Sequence, residues 1–458
     1  MSIISTVIKR FVAPSLPNAT QEYDQRYFDK FNSILRLYFN QLDQLLGQLV
    51  STSTAVPITF PINSLDAFGR LVTTQPYTIF DSQNRFREDD QFDTSLTGGG
   101  TTSYLQYESA VQLNVGTASG DQVVRQSFRN MPYQPGKGLT FLATFVMSAA
   151  QNNLRQRVGY FNTNNGAFLQ QDSGAVSFVL RSNSLPTPGT PSDIRTVNQA
   201  DWNVDPMNGN GPSGRVLDLT KNQILYMDFE WLGTGDVRCG FYVDGQPQIC
   251  HIFHNDNTQT AVYMQTAILP VRYEITNTGV TALSSAMKQV CSSVMNMGGY
   301  QQTTVDHLAR RTAVLATIGN TFLPMISIRL NSAALGAVVL PNKIEVLPTT
   351  SQNYEVALVK NPTLTGASWV SVPSDPNVQY DVSATAVSGG TLVYNNYTTA
   401  SGSGGSNVIS DSPGYKWDLQ LGASIAGVSD VYTMQIRTVS GATTGDAFGT
   451  FTFYDLTQ

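Results

Sequence analysis

The sequence predicts a mainly β protein: a large β-sandwich or jelly-roll body with an N-terminal extended arm and a coiled-coil-like helix. Three observations carry this. Charged residues make up only 13% of the 458, while Gly, Ser, Thr, Asn and Gln are abundant throughout, a profile that suits many short strands joined by turns. Short apolar runs bounded by Gly- and Pro-rich breakers, such as Thr97–Gly100, Leu185–Pro191 and Asn208–Gly214, recur along the chain. A single stretch, Gln21–Leu49, has neither Pro nor an internal breaker apart from Gly47 in its last turn, and its apolar residues follow a helical period.

The helical stretch has Thr20 as its N-cap and Glu22 and Asp24 in its first turn. Phe28, Phe31, Leu35, Tyr38, Leu42, Leu45 and Leu49 fall in unbroken alternation of three and four, the seam of a coiled coil. Tyr27, Ile34, Phe39 and Leu46 flank the seam and widen it beyond what a two-stranded contact buries, so a homo-oligomer of three helices is expected. The same stripe would also serve to pack the helix on its own β domain or into a groove on another protein. Upstream, Pro14 and Pro17 keep Val12–Asn18 extended. Downstream, the polar linker Ser51–Ala55 ends the pattern.

The expected organisation is therefore an arm and helix over 1–55, a sandwich over 56–346, and a C-terminal β region over 347–458, the last boundary marked by a drop in Lys and Arg after Leu347–Ser351. Candidate strands include Tyr104–Val115, Leu139–Met147, Val176–Arg181, Ile224–Leu232, Val237–Val243, Gln248–Phe253, Val271–Ile275, Met325–Leu330, Tyr354–Val359, Val378–Ala384, Trp417–Leu421, Val431–Thr438 and Phe448–Tyr454. Ala282–Met297 fits strand or helix. One hairpin is legible in detail: Asp244-Gly245 suits a two-residue type I′ turn. Its register sets Cys239 opposite Cys250 and Tyr242 opposite Pro247, and Pro247 then places its strand at a sheet edge.

Composition excludes several classes of function. Net charge is −6 and no basic cluster exceeds a pair, so nucleic-acid binding through a basic face is not expected. No window reaches the ~18 apolar residues of a membrane span. The basic pair Lys9-Arg10 follows the short apolar start of the chain instead of preceding it, so no secretory signal is read there. Three cysteines, Cys239, Cys250 and Cys291, are too few for a disulfide framework and point to a reducing cytoplasm as the place of assembly, with the thiols as small buried hydrophobes.

No nucleotide-binding glycine loop, Cys-x-x-Cys pair or nucleophile elbow is present. His251 and His254 stand three apart on a strand and so face opposite ways, which argues against a shared metal. Glu88–Asp90 and His254–Asn257 are read as solvated loops instead of calcium sites. Tyr226-Met-Asp-Phe-Glu-Trp231 faintly resembles the carboxylate strand of jelly-roll glycosidases, but Tyr226 stands where the first carboxylate would be, so Asp228 and Glu230 are expected on a solvated outer face. No enzymatic activity, cofactor or metal is expected. Trp202, Tyr242 and Trp417 are candidates to stack on sugars.

Two blocks of sequence resemble virion structural proteins of tailed phages, especially those of marine and cyanobacterial hosts. The first is Lys9–Pro17 with Glu22–Phe31 and Leu35–Asp43; the second runs from Phe80–Phe86 through Tyr104–Val111 and Arg125–Gly136 to Asp218–Gly245 and Leu269–Ile275. The resemblance implies a bacteriophage virion protein, a tail fibre or appendage attached by its N-terminal arm and helix and projecting a β-rich body. A capsid decoration protein and a glycan-binding host-adhesion module are the alternatives. Its partners would be further copies of itself, other virion subunits and a host surface glycan. The family carries no catalytic residues to transfer.

Overall fold

The computed structural model describes residues 25–51, with side chains to residue 42, and most of 66–457, omitting 67–69, 72, 74, 302–305, 399–415 and 440–443. The chain divides into two compact units, Met1–Pro61 and Ile62–Gln458.

In the first unit, α1 spans Gln25–Ser51. Phe31, Leu35, Tyr38 and Leu42 of the expected seam are half-buried, as is Ile34 beside them, and Phe28 is 44% exposed. Tyr27 stacks on Phe31 with ring planes 17° apart, a pair that the i, i+4 spacing of a helix brings together. The side chains of Leu45 and Leu49, the Thr20 cap and the proline arm lie outside the described residues.

The second unit begins with β1 (Pro76–Gln83), β2 (Phe92–Thr97), β3 (Thr101–Leu105), β4 (Ala110–Val115), β5 (Gln122–Ser127), β6 (Leu139–Val146), β7 (Leu154–Phe161) and β8 (Gly166–Asp172). It continues with β9 (Ala175–Ser182), β10 (Ser192–Asn198), β11 (Gln223–Phe229), β12 (Val237–Val243), β13 (Gln246–Phe253), β14 (Val271–Asn277) and β15 (Ser285–Met297). They form an eight-stranded sheet, β13-β12-β11-β6-β15-β4-β3 with β1 also on β15, and a seven-stranded sheet, β10-β9-β8-β7-β14-β5-β2. Alternation decides which side chains meet: Leu225, Met227 and Phe229 of β11 lie beside Ala143, Phe141 and Leu139 of β6. They share one core with Val158, Tyr160, Phe178 and Tyr273 of the other sheet. Each large side chain buried there contributes about 1.5–3 kcal/mol.

A second pair of sheets and a separate two-stranded ribbon of β21 with β24 follow, built from β16 (Asp306–Arg310), β17 (Leu315–Ile318), β18 (Leu323–Leu330), β19 (Val339–Pro348), β20 (Tyr354–Lys360), β21 (Thr363–Thr365) and β22 (Val370–Val372). β23 (Asp375–Asp381), β24 (Ala386–Ser388), β25 (Thr391–Thr398), β26 (Val431–Thr438) and β27 (Gly445–Asp455) complete them. Residue 347 falls inside β19, which pairs along its length with β27. Strands from both sides of that position thus belong to one sheet, and the fall in Lys and Arg there is a change of surface composition within it.

Other expectations are corrected locally. Tyr104–Val115 is not one strand: a 3₁₀ turn at Gln106–Glu108 separates β3 from β4, closed by Ser109 in the left-handed region at φ 50°. Trp417–Leu419 is likewise a 3₁₀ turn, and Ala282–Met297 resolves into the strand β15. The hairpin forms as expected, with Asp244 and Gly245 both at positive φ and Tyr242 opposite Pro247. β13 is indeed the end strand of its sheet. A bulge between Cys239 and Gly240 then shifts the register, so Cys239 faces His251 and not Cys250; a bulge slips one strand past the other by one residue.

The outer side of the seven-stranded sheet carries a layer that alternation alone does not reveal. Phe161, Phe168 and Val179 form a separate, fully buried cluster, with the two rings 4.4 Å apart. Arginines cover it. The guanidinium of Arg157 lies 5.0 Å from the Phe168 centroid, that of Arg181 5.2 Å, and that of Arg272 5.5 Å from Phe161. Such stacking keeps the rings from water while leaving the cations able to pair.

Candidate functional site

Asp228 lies on the face of β11 opposite Leu225, Met227 and Phe229 and Glu230 follows directly after the strand's last residue, but neither carboxylate is solvated. Asp228 is 3% exposed and Glu230 is fully buried. Arg70 Nη2 donates to Glu230 Oε1 at 2.9 Å and its Nε donates to Asp66 Oδ2 at 2.7 Å, while its Nη1 donates to the Gly136 carbonyl. A segment from outside the sheet thus covers the carboxylates, which strand alternation does not reveal. Desolvation and the neighbouring charges of Asp228 and Asp66 outweigh Arg70 and push the Glu230 carboxyl up to about 8. A side chain at Gly138 would have its Cβ 2.9 Å from Glu230 Oε1 and would press on this carboxylate. The adjoining cavity of about 310 Å³ is lined by Asp66, Arg70 and Lys137, and neither Asp228 nor Glu230 reaches its wall. A raised carboxyl is what a general acid requires; this one is enclosed behind Arg70.

The aromatic candidates separate. Trp202 is buried, with its ring 4.4 Å from Phe178, a core residue. Tyr242 stands edge-on to Tyr226 at 5.8 Å on the eight-stranded sheet. Trp417 lines a large cleft.

That cleft comprises two adjoining cavities of about 490 and 690 Å³ that share Asp81, Arg129 and Asp418. It opens where the first pair of sheets, through β1 and the segment after β5, meets the second, through the ends of β20 and β25. Phe80, Tyr394, Trp417 and Lys416 line one cavity; Gln91, Lys360, Asn361 and Asp430 line the other. Trp417 Nε1 donates to Tyr77 Oη at 3.2 Å and Tyr300 stands edge-on to the indole at 5.2 Å, so the ring is held from behind. At the floor, the Arg129 guanidinium lies 5.2 Å over the Phe80 ring, donates to Gln91 Oε1 and comes within 3.9 Å of Asp418 Oδ1. Burial pushes the guanidinium's pKa down against the pull of Asp418 and Asp81. Asp418 itself is almost wholly exposed. Aromatic walls, carboxylates, amides and a fixed guanidinium in an open cleft are the chemistry that stacks on the apolar face of a sugar and bonds its hydroxyls.

Trp417 is the sugar-stacking candidate found at the wall of this cleft, although at 7% exposure it packs in the same core as Trp202 and offers the cleft only an edge. Asp81, Arg129 and Tyr394 escape a reading of the sequence because no local motif joins positions so far apart along the chain. The histidines separate as well: His251 is buried, its Nδ1 accepting from the Asn203 backbone N–H at 3.3 Å, and desolvation holds its pKa down to about 4. His254 lies beyond the end of β13 and is exposed.

No family model matches the chain, and no curated protein does. Among solved structures it is similar to the CBM2 module of the Lactobacillus casei BL23 phage J-1 evolved Dit, at 9% identity over 50% of this chain and 99% of that one, with a TM-score of 0.33. It is similar to the lectin UEA-II complexed with galactose at 9% identity over 48% and 99%, TM-score 0.30, and to the Emp47p carbohydrate recognition domain at 8% over 49% and 98%, TM-score 0.30. A likeness this slight carries no inference about the ligand or role of this chain.

Proposed function

We propose that the chain is a non-enzymatic structural component of a bacteriophage virion, attached through its N-terminal arm and helix and binding a host-surface glycan with its β body. The observation that carries the binding role is the cleft walled by Tyr394 and Trp417 and floored by Arg129, with Asp81 and Asp418 on its rim. The virion role rests on the resemblance of Lys9–Asp43 and of the body segments to phage structural proteins. A tail appendage is favoured over capsid decoration because binding a receptor requires a body that projects outward. The enclosure of Glu230 behind Arg70 supports binding without cleavage.

Purified full-length protein is expected to retain host surface polysaccharide in a pull-down and to leave its size distribution unchanged after incubation. Tyr394→Ala with Asp418→Asn should weaken retention at least tenfold, with some loss of melting temperature because Tyr394 packs against the second core; Asp418→Asn alone, at an exposed carboxylate, should weaken retention with an unchanged melting temperature. Equal retention by the double variant would remove the cleft from the proposal, and release of reducing ends, lost on Glu230→Gln, would overturn the non-enzymatic reading.

The helix is expected to make the protein a trimer. Its stripe of Phe31, Leu35, Tyr38 and Leu42 has the seam spacing, and a lone helix of this length is marginal in water. Light scattering should give a trimeric mass for the full chain and a monomeric one for Leu35→Asp with Leu42→Asp, because seam carboxylates resist desolvation. A wild-type monomer at micromolar concentration would count against it.

A further inference from the structure

We infer that Asp236, His254 and Asp256 form a site for a divalent transition-metal cation at the open edge of the first pair of sheets. A ring nitrogen of His254 and one carboxylate oxygen from each aspartate all lie within 4.8 Å of one another. His254 Nδ1 and Asp236 Oδ2 are already 3.0 Å apart. Two donors bound at about 2.1 Å to one ion stand ~3–3.5 Å apart, so this pair has the spacing of neighbouring ligands and Asp256 needs only a small closing movement.

The backbone fixes the donors on two turns. Asp236 ends the turn between β11 and β12, where Gly235 N–H donates to the Trp231 carbonyl at 2.8 Å and Glu230 N–H to the Asp236 carbonyl. A Cβ at Gly235 would fall 1.5 Å from the Glu230 carbonyl oxygen, so no other residue can make this approach. His254 and Asp256 lie in the segment leaving β13, whose Thr258 Oγ1 donates to the Asn255 carbonyl at 2.7 Å.

A second observation points the same way. Asn255, between the two ligands, is 1% exposed. Its Nδ2 donates to the Gly235 carbonyl at 2.8 Å, which holds the amide against the Gly235–Asp236 peptide, and its Oδ1 is buried with no donor in reach. An acceptor left so costs about 1–3 kcal/mol. A water on a metal at Asp236 would supply the missing donor. Across the site, Arg195 of β10 donates to the His254 carbonyl at 2.6 Å and to Thr258 Oγ1 at 3.2 Å. β10 and β13 are the end strands of their sheets, and a cation here would fasten the β11–β12 turn to the segment leaving β13.

One imidazole with two carboxylates and open positions for water suits zinc or manganese better than calcium, which takes six to eight oxygens. His254 lies beyond the end of β13, and the fold sets two aspartates beside it instead of His251. Chelator-stripped full-length protein titrated with ZnCl₂ at pH 7.5 should bind one equivalent at micromolar concentration and melt several degrees higher, whereas CaCl₂ at 1 mM should do neither. His254→Ala and Asp256→Asn should each weaken zinc binding at least tenfold while melting like the metal-free parent, and His307→Ala should change nothing. Absence of saturable zinc binding, or binding with unchanged affinity in both site variants, would overturn the assignment.

Discussion

Replacing Glu274 with glutamine is expected to cost the body about 3–5 kcal/mol, the usual penalty for stranding one side of a buried ionic cluster. Glu274 is 4% exposed. Its carboxylate accepts from Arg272 Nη2 at 2.9 Å and lies 3.4 Å from Arg155 and 3.6 Å from Arg157. Burial alone would raise its pKa, but these guanidiniums hold it below the ordinary carboxylate value. Arg157 shows the cost from the other side: desolvation pulls it down to about 10 even with Glu274 beside it. Glutamine keeps the shape and removes the charge, leaving Arg155, Arg157 and Arg272 to repel one another above the Phe161–Phe168 pair. The melting temperature should fall by roughly 5–15 °C. Adding Arg272→Leu should recover part of the loss, because it removes one stranded cation. A fall of less than 2 °C would mean that water reaches the cluster and screens it.

Stability should decline between about pH 6.5 and 8, and Glu230→Gln should abolish that decline. The Glu230 carboxyl, near 8 in the folded chain against an ordinary 4.5, keeps a proton over a range in which the unfolded chain has lost it. The folded state binds more protons there, so stability falls as pH rises through the window. His251 acts in the opposite sense: held near 4 against 6.5, it leaves the unfolded chain binding more protons between those values, and stability is lost as pH falls through them. The two effects oppose each other between about pH 4.5 and 6.5 and only Glu230 acts above. Glutamine still offers an oxygen to Arg70 and carries no charge, so at pH 8.5 the variant should exceed the parent by on the order of 2–4 kcal/mol. Melting curves of both proteins from pH 4 to 9 test this; parallel profiles above pH 6.5 would show that Glu230 is ionised throughout and that Arg70 governs it.

The sequence by itself determined what depends on neighbours along the chain. Breakers and composition give a body of many short strands, the period of Phe31, Leu35, Tyr38 and Leu42 gives α1, and Asp244-Gly245 gives the hairpin turn and the first cross-strand pairs, since turn chemistry acts over two to four residues. The edge position of β13 follows from Pro247, which has no N–H to offer a further strand.

The tertiary structure alone decided which faces were covered and which distant residues met. β7 and β8, Leu154–Phe161 and Gly166–Asp172, escape a search for apolar alternation because Arg155, Arg157 and Gln170 occupy their outer positions. They become a protected surface only when Arg272 and Arg181 arrive from neighbouring strands to cover Phe161 and Phe168. Asp228 and Glu230 have the alternation of a solvated face, and Arg70, which lies 160 positions from Glu230, takes that face out of water. The cleft joins Asp81 to Asp418, and the proposed metal site joins Asp236 to Asp256 across a hairpin. Local propensity carries no information on such meetings, because they are fixed by which sheets stack and by the loops that close over them.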